Sequence, residues 1–303
     1  MGVKSKAASA IVILLVLLGS LWIHGGLDSR WDACLKGYNQ VNQPARQPAN
    51  GSSSRGPADR CPGQTFQVSR LLSHLLASPT STADVLLRPY LSSWDELVKF
   101  MEALGPMVGL ISKEIETKTS IIRELALLAE ANPEAEVNPD GKSDKTVNPE
   151  TREKPQDPWQ RSGAYHSVRS MIRTELKRGS VDFRRQTDSG CRTLLRLHRA
   201  LLWLKLFLDK LAEIPAAGRL GSPSELCREA YEVTLANHHS WLVRRAAEVA
   251  FLAMPERGFF FRLLCVQSQE ELSAVLGPVV RAIGVVYDRT QKALEDNGML
   301  DLP

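Results

Sequence analysis

Between residues 189 and 210 the chain carries Leu194, Leu195, Leu197, Leu201, Leu202, Leu204, Leu206, Phe207 and Leu208. At 100° per residue these cover nearly every side of a helix. A helix apolar all round is a buried one. Yet Arg192, Arg196 and Arg199 recur on it at i, i+4 and i+7, with Trp203 on the same stripe. A guanidinium keeps its charge at any working pH, so burying it requires an anionic partner. Carboxylates from neighbouring helices are one such partner. A phosphate is the other, because the planar guanidinium fork hydrogen-bonds it in pairs. The chain must therefore fold into a body that both covers this helix and answers its arginines.

The rest of the chain supplies helices to do so. Residues 107–128 place Ile111, Ile115, Ile122 and Leu125 on one apolar stripe. Ser93-Trp94-Asp95-Glu96 has the pattern of a capping box, with Trp94, Leu97, Val98, Met101 and Leu104 following at helical spacing. Ser268-Gln269-Glu270-Glu271 repeats the pattern and opens a helix through Leu272, Leu276, Val279, Ile283 and Val286, ending near Asn297-Gly298. Pro278 should bend that helix or lie near its start. Alternating apolar runs joined by hairpin turns are missing, so the fold class is all-α, over residues 66–303.

Two stretches lie apart from this pattern. Residues 24–64 carry Pro44, Pro48, Pro57 and Pro62 with no apolar period, and read as a disordered tether. Residues 131–163 hold five prolines and almost no aliphatic side chain, and read as a flexible insertion within the domain. Residues 1–23 begin with Lys4 and Lys6 and then run without charge from Ala7 to Ile23. That length suits either a signal-anchor or a signal peptide. The expected localisation is membrane-associated through this segment, its lysines placing the remainder in the lumen or outside.

The net charge of +4 belongs to the first 65 residues, with seven basic and three acidic side chains. Residues 66–303 carry 31 of each, which speaks against a nucleic-acid partner. Within them, residues 164–210 hold eleven basic and four acidic groups. The positive charge is thus gathered around the arginine-bearing helix. Five cysteines are too few for a disulfide scaffold. Cys34 and Cys61 either pair or stay free. Cys191, Cys227 and Cys265 sit in or beside apolar runs and read as core residues.

Further charges sit out of place. Glu114 and Lys118 fall in or beside the apolar stripe of the 107–128 helix, four residues apart. They form either an ion pair at the stripe edge, stems lying along apolar surface, or a polar site at the mouth of an apolar core. Asn237-His238-His239-Ser240-Trp241 stands at a helix junction. The remaining histidines make no ligand-spaced set with this pair, so no metal is expected. Esterase, phosphate-loop and zinc-protease motifs are all missing, so neither a cofactor nor catalysis is expected.

Five segments together resemble the glycolipid transfer protein family, most closely its ceramide-1-phosphate transfer branch. They are Tyr90-Leu91-Ser92-Ser93-Trp94-Asp95-Glu96-Leu97, Ile111-Ser112-Lys113-Glu114, residues 189–201, His239-Ser240-Trp241-Leu242-Val243-Arg244-Arg245, and Leu300-Asp301-Leu302-Pro303. The resemblance implies a two-layer helical sandwich that moves a sphingolipid between membrane surfaces without enzymatic chemistry. It implies that Glu114 accepts the ceramide amide hydrogen and that Lys118 meets the headgroup. Arg192 and Arg196 would bind a phosphate, Arg185 (or Arg184) would stand on its outer side, and His239 would bond the amide oxygen. The implied lipid is ceramide 1-phosphate. The family carries Asp where this chain has Glu114, and usually Pro where it has Ser240. The alternative function is that of a membrane-anchored lipid sensor or helical interaction protein with a degenerate lipid site. The alternative location is the family's cytosol.

Overall fold

The structure is a computed structural model, and it describes residues 63–131, 163–215 and 220–303. These residues all lie in one compact unit, Arg55–Pro303. The leader, nearly all of the tether and nearly all of the 131–163 insertion lie outside the described residues, as do Cys34 and Cys61.

Among the described residues there are nine α-helices and no strand, as the periodicity predicts. They are α1 (Val68–Ala77), α2 (Leu87–Ala103), α3 (Pro106–Ala131), α4 (Val168–Arg178), α5 (Gly190–Ala212), α6 (Pro223–Thr234), α7 (Trp241–Leu252), α8 (Arg257–Leu263) and α9 (Gln269–Glu295). Single turns of 3-10 helix at Gly163–Tyr165 and Ala236–His238 precede α4 and α7. The helices pack as a two-layer sandwich about α5. This helix meets α9, α6, α3 and α4; α1, α2 and α3 pack in sequence, and α9 returns to α1.

The apolar girdle predicted for α5 is its actual environment. Leu194, Leu197, Leu201, Leu204, Phe207 and Leu211 are at most 1% exposed. Trp203 follows them inward and donates its indole N–H to the Cys227 carbonyl, so it belongs to the core rather than to a surface stripe. Cys191 and Cys227 are buried free thiols as expected. Cys265 departs from expectation, being exposed and disulfide-bonded.

The start of α5 is held from outside the helix. Ser189 caps it by accepting the Arg192 amide hydrogen. The buried Glu175 on α4 accepts the Gly190 amide at 2.7 Å, the Cys191 amide at 2.9 Å and the Tyr165 hydroxyl at 2.8 Å. A carboxylate is favoured there because the first amides of a helix are unpaired and carry partial positive charge. Gly190 has to be glycine, since a Cβ would come within 2.7 Å of that carboxylate and 2.8 Å of the Met171 sulfur.

One predicted start is corrected. Helix α2 begins at Leu87, six residues before Ser93, so Ser93-Trp94-Asp95-Glu96 is not a capping box. Pro89 lies in the first turn, where its missing N–H costs nothing, and the buried Ser93 hydroxyl bonds back to the Tyr90 carbonyl. The second box is partly right. Ser268 caps α9, and the helix then continues through Pro278 without ending.

None of the described helices is long and apolar enough to cross a membrane. A spanning helix needs about 20 largely uncharged residues. The long helices α3, α5 and α9 all carry charged side chains within any such length.

His198, on α5, illustrates the cost of this packing. It is 2% exposed, pairs its Nε2 with the Gln291 amide oxygen at 2.6 Å, and stacks on Tyr287. Burial pulls its pKa down to about 4, with the Gln291 bond opposing. A base with a lowered native pKa binds fewer protons folded than unfolded. Its neutral form therefore costs nothing above the unfolded value of about 6.5, and stability falls as pH drops from there towards 4. We expect about 3 kcal/mol of unfolding free energy to be lost across that window through this group. His198→Gln should flatten the pH dependence of urea unfolding between pH 6.5 and 4.

Candidate functional site

Three elements present charged side chains at one edge of the sandwich, where α3, α5 and the α6–α7 junction approach. On α3, Lys118 bonds Glu114 at 2.6 Å, with side-chain exposures of 18% and 67%. The lysine stem is covered while the carboxylate reaches outward, leaving the other Glu114 oxygen without a cation. Ile115 and Ile122 beside them are buried, so the pair sits on the rim of the core.

On α5 the guanidinium groups of Arg192, Arg196 and Arg199 are half-buried. Their hydrogen bonds go to main-chain oxygens. Arg192 donates through Nε to the Pro303 oxygen and through Nη1 to the Thr187 oxygen at 3.3 Å. Arg196 donates to the Arg192 carbonyl at 3.3 Å, and Arg199 to the Leu300 carbonyl at 2.6 Å. Among the described residues none of the three is ion-paired with an Asp or Glu side chain. The carboxylate alternative for this stripe is thereby set aside. Burial first, then the charges of Arg192 and Arg199, push the Arg196 pKa down, and Glu114 acts against this. Burial likewise lowers Arg199, and Asp301 opposes it. Lys118 and the arginine row thus face the side-chain carboxylates of Glu114 and Asp301.

His239 follows the short turn Ala236–His238. The Tyr231 hydroxyl on α6 lies 2.8 Å from its Nδ1. Burial holds the Tyr231 pKa above the ordinary phenol value, so the hydroxyl keeps its proton. Burial, reinforced by His238, holds His239 below the ordinary imidazole value, so the ring is neutral at pH 7. If the phenol donates to Nδ1, the imidazole hydrogen stands on Nε2 and can donate outward; if Nδ1–H donates to the phenol oxygen, Nε2 is an acceptor. His238 feels Arg199 and Asp301, which joins this turn to the arginine row.

The structure thus gathers Glu114, Lys118, Arg192 and Arg196, with His239 on the adjoining turn. Arg185 is exposed in the loop before α5, where its amide bonds Asp182 and its guanidinium makes no ion pair among the described residues. Residues that periodicity could not reveal are Tyr231, which hydrogen-bonds His239 Nδ1, and Thr187, Leu300 and Pro303, which hold the arginines through main-chain oxygens. Among the described residues no group of three metal-ligating side chains occurs.

The family model for glycolipid transfer protein matches residues 85–266. The chain belongs to the glycolipid transfer protein family. It is 38% identical over 223 residues to the ceramide-1-phosphate transfer protein of Xenopus laevis, covering 73% of this chain and 88% of that one. It is 38% identical over 229 residues to the Mus musculus protein of the same name, covering 74% and 90%. The crystal structure of the mouse ceramide-1-phosphate transfer protein in its apo form superposes with TM-score 0.62 at 35% identity, over 78% of this chain and all of that one. The human protein in complex with 12:0 ceramide 1-phosphate gives 0.61 at 33% identity, over 78% and 98%. The expected location, membrane-associated through residues 1–23, is corrected. Its one support lies outside the described residues, no described helix can cross a membrane, and the similarity to the transfer proteins runs through the helical domain. That location is withdrawn.

An arginine row that no Asp or Glu side chain pairs with among the described residues should respond to anions. Inorganic phosphate should raise the melting temperature by about 2 °C or more beyond sodium chloride of equal ionic strength. Arg192→Met with Arg196→Met should remove that increment, read by scanning calorimetry.

Proposed function

We propose that this protein binds a sphingolipid bearing a phosphate headgroup, ceramide 1-phosphate, and carries it between membrane surfaces with no covalent step. The observation that carries the reading is the arginine row, hydrogen-bonded to main-chain oxygens and paired with no Asp or Glu side chain among the described residues. A phosphate monoester brings about −1.5 to −2 charges at pH 7, which the clustered guanidinium groups can offset. Its oxygens accept the guanidinium donors that the main chain leaves unused. Similarity to ceramide-1-phosphate transfer proteins supports the same choice.

Each polar group has a place in this reading. Arg192 and Arg196 take the phosphate, with Arg185 entering from the loop, and Lys118 binds from α3. The free oxygen of Glu114 accepts the ceramide amide hydrogen. One methylene longer than the family's Asp, it reaches about 1.5 Å further. Nε2–H of His239 donates to the amide oxygen. The hydrocarbon chains pass between the layers. Desorbing such a lipid costs about 0.8 kcal/mol per CH₂ removed from the bilayer, and apolar contact inside residues 66–303 offsets it.

Helix α7 adds a docking surface next to His239. Trp241 is 64% exposed and Leu242 70% exposed, and Val249 and Leu252 also face outward. The Arg245 guanidinium lies 5.9 Å over the Trp241 ring. Exposed aromatic and aliphatic groups beside arginines suit the boundary between headgroups and acyl chains. Docking there would set the headgroup site at the membrane.

Two measurements test the reading. In a vesicle-to-vesicle assay with fluorescent ceramide 1-phosphate, Arg192→Leu should slow transfer at least about tenfold, the loss of one charge-assisted bond. Equal transfer by the variant would sink the assignment. Trp241→Ala with Leu242→Ala should weaken sedimentation with phosphatidylcholine vesicles. It should leave the melting temperature within about 1 °C, because neither side chain is packed.

A further inference from the structure

Helix α8 is closed by Cys265, whose φ is +52°. The Cys265 amide bonds the Arg262 carbonyl at 3.2 Å, and the Val266 amide bonds the Phe261 carbonyl at 2.9 Å. Glycine ordinarily fills such a left-handed position at a helix end, because a Cβ is strained there. The turn itself therefore gives no reason for a cysteine, and its sulfur does. Cys265 is exposed and disulfide-bonded. Cys191 and Cys227 are buried free thiols. Of the five cysteines in the chain, only Cys34 and Cys61 are left as partners.

Gln64 decides between them. Its side-chain amide donates to the Arg262 carbonyl at 2.9 Å and reaches the Cys265 sulfur at 4.0 Å. Gly63 before it has a φ of +91°. Cys61-Pro62-Gly63-Gln64 is the sequence of a type II turn, with proline second and a positive-φ glycine third. Such a turn brings its first and last Cα atoms within about 7 Å of each other. A disulfide needs Cα atoms about 4.4–6.8 Å apart. Cys61 thus stands one tight turn from a side chain that already touches Cys265. Cys34 lies 27 residues further back along the chain, and a longer loop costs more entropy to close.

We propose that Cys61 and Cys265 form a disulfide that clasps the start of the helical domain to the end of α8. Its oxidant is a small disulfide such as oxidised glutathione. One cysteine thiolate displaces a glutathione thiolate and forms a mixed disulfide. The second thiolate then displaces the other glutathione, so two protein thiols are oxidised and two glutathione thiols are released. An exposed bond of this kind is open to reversal by a reducing thiol. The clasp sits away from the arginine row. Phe260 on α8 meets Phe207 on α5 with ring centroids 6.0 Å apart, and Arg257 bonds the Leu211 carbonyl at 2.9 Å. Phe207 follows Arg192 by fifteen residues, about 22 Å along the helix. Opening the clasp should therefore leave headgroup binding unchanged.

The test equilibrates the full chain with oxidised glutathione, blocks free thiols with iodoacetamide, digests without reduction and identifies linked peptides by mass spectrometry. The expected product joins Cys61 to Cys265 and leaves Cys34 alkylated. A predominant Cys34–Cys265 peptide, or Cys265 recovered alkylated, overturns the proposal. Calorimetry supplies a second reading on Cys34→Ser, in which only Cys61 can answer Cys265. Dithiothreitol should lower its melting temperature by about 5 °C or more. No shift overturns the clasp. The added stability conferred by inorganic phosphate should survive reduction in full, and its loss would overturn the placement of the clasp away from the arginine row.

Discussion

Three guanidinium groups on an otherwise buried helix are expensive, and the neighbouring structure is arranged around that cost. Helix α5 cannot shed its arginines to solvent, because its apolar positions draw it into the centre of the sandwich. Nor are the arginines paired with Asp or Glu side chains among the described residues. Main-chain oxygens satisfy part of their hydrogen bonding. Mutual repulsion between Arg192, Arg196 and Arg199 is thereby retained at a surface edge, where an arriving anion relieves it.

The row keeps its geometry because α5 is held at its first turn. Glu175 ties the Gly190 and Cys191 amides to α4 and, through the Tyr165 hydroxyl, to the turn before it. Arg192 directly follows those amides in the chain. A buried acceptor outside the ligand site thus fixes where the first arginine stands. Tyr231 does the same for His239 by holding its Nδ1 edge through a hydrogen bond. In both cases a protonated phenol, kept so by burial, completes the arrangement.

Much of this was legible along the chain. The spacing of Leu194, Leu197, Leu201 and Leu204 predicts a buried helix, and the interruptions at 192, 196 and 199 predict an unusual electrostatic demand. Glu114 and Lys118 stand out because they fall beside an apolar stripe, and they form the expected pair. Other readings failed for definite reasons. Ser93 has the sequence of a cap, but Pro89 and Leu87 start the helix earlier, because a proline in the first turn loses no bond. Trp203 shares the arginine stripe by angle, yet the stripe turns inward within two turns and the indole meets Cys227. Cys265 follows an apolar run but lies at its exposed end.

Sequence alone determined the helices, the arginine row, the pair on α3 and the family resemblance, because periodicity and residue type are local properties. Which partner answers the arginines is not local. The choice between an acidic side chain and a main-chain oxygen depended on Leu300 and Pro303, about a hundred residues downstream, and any backbone oxygen looks alike in a sequence. Only the tertiary structure laid that segment against α5, and only there did the row find its main-chain partners.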